Sequence, residues 1–246
     1  MDFEIKRNNA FKTIVSYFLV SLIGSLFVSI FIGLLQIKNV AVGASLANLL
    51  TYILLLVAVV LINKKELIED LNGFKNGGKP YLRIFGGLGI FYVISLFTST
   101  LVSNIEFYSN FANSVLGKHN VITSTAQNQT DIEAMLSGGG LIMMILAAGV
   151  IGPFCEEVVF RKAFFNLFKS KELGILVSSL AFGMIHIISS IGTYNLTSMA
   201  LMTFPYIAGG VALGIIYIKN DCNVITSTIV HMLTNIISII GIVALA

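Results

Sequence analysis

The sequence predicts an all-α fold, a polytopic membrane helical bundle of about seven transmembrane helices, with six to eight as the range. Three observations carry this. Hydrophobic residues make up 56% of the 246 and charged residues only 11%, where a soluble domain carries about 25% charged. Several apolar runs reach the roughly 20 residues that a spanning helix needs. These runs do not alternate with period two, so they are not strands of a membrane barrel.

The first run, 13–35, follows Lys6, Arg7 and Lys12. It is longer than a signal-peptide core and no small-residue cleavage site follows, so it reads as a retained spanning helix. The second run is 40–62. Residues 63–83 read as a polar loop, with Gly77-Gly78 and Pro80 marking a turn. The third run is 84–103. A long polar connection follows over 104–138, expected to hold one amphipathic helix around Ile105–Leu116 and a solvated His119. Asn128-Gln-Thr130 matches the glycosylation acceptor pattern, but a solvated loop is the favoured reading. The fourth run, 139–155, is the shortest and ends in charged residues. The remaining runs are 173–190, 196–218 and 223–245. Gly210 and Gly214, four apart in the sixth, fit close helix packing. No internal repeat supports an inverted-repeat transporter.

The charges assign sides. With the N-terminus in the cytoplasm, 13 of the 15 Lys and Arg fall on the cytoplasmic side, and only Lys38 and Lys118 fall outside. That separation follows the positive-inside rule and predicts a multi-pass protein of the cell membrane. No block of like charge suggests a nucleic-acid partner. The two cysteines, Cys155 and Cys222, have neither disulfide nor zinc-ligand spacing.

Three charges resist a loop explanation: Glu156, Glu157 and Arg161, at or just beyond the inner end of the fourth run. Carboxylates among apolar neighbours cost free energy unless paired or used. Glu157 and Arg161 are four apart with the acid first, the favourable order for a pair on one helix face. Glu156 is turned about 100° away and faces something else. Two histidines also lie inside apolar runs. His186 closes Phe182-Gly-Met-Ile-His186, and His231 opens His231-Met-Leu-Thr-Asn235. Each motif puts its first and last residues on one helix face. At 1.5 Å per residue, His231 lies roughly 12 Å and His186 roughly 20 Å from the cytoplasmic side, compatible with one cavity shared with Glu156.

These groups suit one chemistry. A carboxylate in a dry pocket is a competent base for water. An imidazole can share or relay the proton. A second His and an Asn amide can donate to the oxyanion of a tetrahedral intermediate. The same Glu156, His186 and His231 could instead hold a divalent metal such as zinc, three ligands with an open position. The residues alone do not separate the two. Cys155 next to Glu156 reads as a buried packing residue, because a thiol in apolar surroundings is poorly reactive.

Glu-Glu-x-x-x-Arg at 156–161, Phe-x-x-x-His at 182–186 and His-x-x-x-Asn at 231–235 resemble the CPBP (CAAX protease and bacteriocin-processing) intramembrane proteases. These include the type II CAAX prenyl endopeptidases and bacterial Abi proteins. The resemblance covers about 139–245. It implies a catalytic core at 139–246, with 1–138 supplying N-terminal helices and loops. It also implies hydrolysis of membrane-associated peptides or proteins by a Glu-activated water. By matching position, Glu156 would be the base with His186 assisting. His231 and Asn235 would form the oxyanion hole, and Glu157 and Arg161 would hold the base in place. The family is also classed with metalloproteases, so the metal question stays open. A transporter, or a non-catalytic scaffold, using the same buried polar residues is the competing expectation.

Overall fold

The computed structural model describes residues 3–76, 78–118 and 121–245, and these form seven helical rods. Rod α1 comprises Phe3–Leu19, a wide π turn at Val20–Gly24, and Ser25–Leu34. It is followed by α2 (Val40–Asn76), α3 (Pro80–Val115), α4 (Gln127–Leu167), α5 (Lys171–His186), α6 (Leu196–Lys219) and α7 (Val224–Leu245). Six of them are long and apolar enough to cross a membrane. The exception is α5, expected as a span over 173–190. Its 16 residues reach about 24 Å at 1.5 Å per residue, short of the roughly 30 Å hydrocarbon core. It runs antiparallel along α6, where a Cβ on Gly210 would stand 3.0 Å from Ser179 and one on Gly214 3.3 Å from Ile175. The glycine pair is therefore a packing device, as its spacing suggests.

Several helices outlast the expected spans. Residues 63–76 are not a loop but the last turns of α2. Charged and leucine residues there are good helix formers, and the acids find partners. Asp70 accepts from Lys162 Nζ at 2.6 Å, and Glu66 lies 3.8 Å from the same ammonium. Asn223 Nδ2 donates to the Asp70 carbonyl at 2.6 Å. Likewise α3 runs unbroken to Val115 and absorbs the amphipathic segment expected in the 104–138 connection. Part of that connection is a strap laid across the bundle end. Asn110 brackets Ile122 with two bonds of 2.7 and 2.8 Å, and Gln127 N–H donates to Ser190 Oγ at 3.1 Å. His119 lies outside the described residues.

Rod α4 is broken rather than straight. Gly139 sits at φ +97°, a left-handed conformation that a side chain would strain. Beside it, a Cβ on Gly138 would run into Ala41 and one on Gly140 into Ser45, so glycines let α4 close onto α2. Further along, α4 widens to π register, with the Gly152 N–H bonded to the Ala147 carbonyl five residues back.

Contacts fix which termini share an end. Asn9 reaches Glu66, and Lys162 and Asn223 reach Asp70, at one end. Asn39 reaches the Gly138 carbonyl, and Thr123 reaches Ser198, at the other. Thirteen basic residues of the sequence belong to the first end or the rods just above it, leaving Lys38 and Lys118 to the second. Two of the thirteen, Arg161 and Lys162, are buried and serve the interior.

Candidate functional site

The Glu-Glu pair lies deeper than its sequence position suggests. Rather than ending near residue 155, α4 continues to Leu167, which leaves Glu156 roughly 16 Å from that end at 1.5 Å per residue. On one side the packing around it is apolar: Val158, Val159 and Phe160 are fully buried, and Tyr17, Leu55 and Phe182 join the same cluster.

The two carboxylates divide as the helical step requires. Glu157 is fully buried and lies 3.3 Å from Arg161 Nε, one turn later on the same face. The Arg161 guanidinium donates to Ser178 Oγ at 3.2 Å and sits over the Phe182 ring at 5.5 Å. It is thus held by a carboxylate, a hydroxyl and an aromatic face. Glu156 turns to the other side, where the Tyr52 hydroxyl of α2 donates to its Oε1 at 3.0 Å.

His231 of α7 stands between the two acids. Its Nδ1 is 3.2 Å from Glu157 Oε1, and its Nε2 is 3.8 Å from Glu156 Oε2. His186, near the end of α5, bonds through Nδ1 to the Phe182 carbonyl at 2.7 Å. That bond places the hydrogen on Nδ1 and leaves Nε2 as an acceptor. The ring is stacked on Tyr206 of α6 at 4.4 Å and packs against Phe182 at 4.5 Å.

Asn235 lies one turn beyond His231, and its Nδ2 donates to the Ala148 carbonyl at 2.9 Å. The local sequence explains why that carbonyl is free. In the π register of this stretch Ala148 would accept from residue 153, which is Pro153 and has no N–H.

A cavity of about 590 Å³ brings Glu156, Phe182, His186, His231 and Asn235 onto one wall system. A second, of about 380 Å³, opens on the α1 side and shares Glu156 and His186 with the first. Four of the five expected catalytic residues thus line the first cavity, while Glu157 is fully buried behind it against His231 and Arg161. The structure adds four that the sequence reading missed: Tyr52, Asn128, Tyr206 and Ser178. Asn128, expected in a solvated loop, instead lies in the first turn of α4 and lines both cavities. Tyr52 left a faint signal, since Thr51 and Tyr52 are the only polar side chains between Leu49 and Leu61.

A metal was the alternative use of Glu156, His186 and His231. Among the described residues no three His, Cys, Asp or Glu side chains are grouped to hold an ion. Glu157, outside that set, is engaged by Arg161, and the bond from His186 Nδ1 to a carbonyl leaves Nε2 as the free ring nitrogen.

Residues 138–237 match the family model described as type II CAAX prenyl endopeptidase Rce1-like. A Mycoplasma capricolum protein of unassigned function is 36% identical over 104 residues, 42% of this chain and 29% of the relative. A Bacillus subtilis protein named as a candidate membrane peptidase, YdiL, is 28% identical over 61% of this chain and 57% of its own length. The YxdF protein of Lactococcus lactis is 25% identical over 60% of this chain and 73% of its own. The matched stretch thus spans well under two thirds of the first two relatives. No solved structure matches the chain.

Proposed function

We propose that the protein is an intramembrane endopeptidase, a reading supported by the match of residues 138–237 to the type II CAAX prenyl endopeptidase Rce1-like family model. It hydrolyses peptide bonds of membrane-associated peptides or proteins with a water activated by Glu156. The observation that carries this is the convergence of Glu156, His186, His231 and Asn235 on one cavity inside an apolar bundle.

In this reading Glu156 takes a proton from water, and the hydroxide oxygen bonds to the scissile carbonyl carbon. The Nε2 lone pair of His186, fixed by the Nδ1 bond to Phe182, orients that water. The oxyanion accepts from the second Asn235 amide hydrogen and from His231 Nε2–H. His231 donates through both nitrogens in that state. The C–N bond then breaks, and Glu156 returns its proton to the leaving amine. No step is routed through a metal.

The basic end of the bundle faces the cytoplasm in this proposal, by the positive-inside rule. The test is cleavage of membrane-anchored peptides, prenylated and unprenylated, by protein in liposomes. Glu156→Gln and His186→Ala abolish cleavage while leaving the thermal midpoint in place. Retained cleavage in both variants sinks the proposal. One observation favours the transport reading: α4 is broken at Gly139, as discontinuous transporter helices are. Solute or ion flux through the same liposomes without any cleavage decides for it.

A further inference from the structure

The structure assigns to Tyr52, which lies outside the family-matched segment, the task of holding the catalytic carboxylate in position. This rests on the endopeptidase reading of Glu156. Two independent features of the chain converge on it.

The first is the bond itself. Tyr52 Oη donates to Glu156 Oε1 at 3.0 Å, joining α2 to α4 across 104 residues of sequence. Glu156 Oε2 is thereby left on the His231 side, where Nε2 lies 3.8 Å away. One oxygen is tied down and the other is presented to the groups that would handle water and substrate.

The second is the space made for the ring. Helical side chains lean toward the N-terminus, so Glu156 covers the turn that begins at residue 152. That residue is Gly152, and a Cβ there would stand 3.0 Å from Tyr52 Cζ and 3.1 Å from Cε1. The Tyr52 ring therefore rests on bare backbone one turn before the acid, with its hydroxyl delivered to the carboxylate. A side chain at 152 would crowd the ring and also stand 2.8 Å from the Ala147 carbonyl of the same helix. Tyr52 also lines both cavities, as Glu156 and His186 do, so the bond lies in the partition between them. The N-terminal half of the chain is then part of the working site rather than an appendage to it.

Tyr52 does not touch reacting atoms in this scheme; it is a positioning residue acting through Glu156. The experiment compares three replacements in the full-length protein in liposomes, with a cleavable membrane peptide as probe. Tyr52→Phe and Tyr52→4-fluorophenylalanine keep the ring but have no donor, and each lowers kcat about tenfold at unchanged KM, with only a small fall in thermal midpoint. Tenfold is about 1.4 kcal/mol of barrier, the scale of one hydrogen bond. Tyr52→4-aminophenylalanine restores a donor at the same ring position and recovers most of the rate. A misfolding defect does not sort the variants by donor. Wild-type rates in the two donorless variants, or no recovery with the amino group, overturn the assignment. Cleavage by Glu156→Gln instead overturns the underlying reading, whatever Tyr52 does.

Discussion

The Asn235 amide donates to the Ala148 carbonyl across 2.9 Å, filling the acceptor that Pro153 leaves open in the helix carrying Glu156. Asn235 therefore ties α7 to α4 with one hydrogen and, in the proposed mechanism, offers the other to substrate. Asn235→Ala removes both. The half-buried Ala148 carbonyl loses its partner at a cost of about 1 kcal/mol, and loss of an oxyanion donor in the proposed mechanism lowers kcat about 100-fold or more. Asn235→Asp keeps the shape without the donors and is no better. Thermal unfolding in detergent and cleavage kinetics read the two effects separately. A full rate in either variant removes Asn235 from the mechanism.

Arg161 and Glu157 are both fully buried, 3.3 Å apart. Arg161→Met leaves Glu157 with His231 and the Ser227 hydroxyl but no guanidinium, and breaking a buried pair costs about 3–5 kcal/mol. Arg161→Lys does not rescue, because an ammonium cannot serve Glu157, Ser178 and the Phe182 face at once. Adding Glu157→Gln to Arg161→Met recovers stability, since the uncompensated charge is gone. The midpoint of thermal unfolding in detergent measures all three.

How far the sequence shows this arrangement depends on the range of each interaction. The Glu157–Arg161 pair and the opposite heading of Glu156 follow from a 100° step within one helix, and local spacing suffices. That His186 and His231 meet Glu156 is legible because each is an expensive group in an apolar run. The Lys162–Asp70 pair is 92 residues apart, and a polar stretch has the same composition whether it is a loop or a docked helix end. Residues 63–76 were accordingly expected as loop. Tyr52 escaped for the same reason: its partner lies 104 residues away, and a tyrosine among aliphatic residues is ordinary. The break in α4 depends on three consecutive glycines meeting Ala41 and Ser45, a contact visible only once α2 and α4 are placed together.

That break yields a further prediction. Gly140→Ala drives a methyl into Ser45 Oγ, while Gly139→Ala forces a side chain into φ +97°. Both destabilise, but by different causes. Ser45→Gly removes the Ser45 part of the first clash, leaving a 2.7 Å approach to the Met135 carbonyl, and does not touch the second, so it rescues Gly140→Ala in part and Gly139→Ala not at all. Thermal midpoints of the two single variants, with and without Ser45→Gly, separate contact from backbone strain. Equal rescue of both contradicts this account of the kink.

Cys155 is fully buried in the apolar cluster around Val158 and Phe182. Its place next to Glu156 gives it no path to a substrate carbonyl. Cys155→Ala leaves kcat within about twofold of wild type, because a small packing change at this site reaches the chemistry only indirectly. Loss of cleavage on this change, with folding intact, points instead to a thiol nucleophile.

The last prediction concerns orientation. Lys64 and Lys219 belong to the end where Asn223 meets Asp70, and Lys38 belongs to the end where Asn39 meets Gly138. Cys222 sits in the turn between α6 and α7 at the first of these ends, so it serves as a native reporter. Positive-inside sorting places that end in the cytoplasm. In intact cells a membrane-impermeant maleimide therefore fails to label Cys222 and labels Lys38→Cys in a Cys222→Ser background. After permeabilisation, Cys222 becomes reactive. Cys155 stays silent throughout because it is buried. Labelling of Cys222 in intact cells inverts the orientation and moves the site's basic end to the outside.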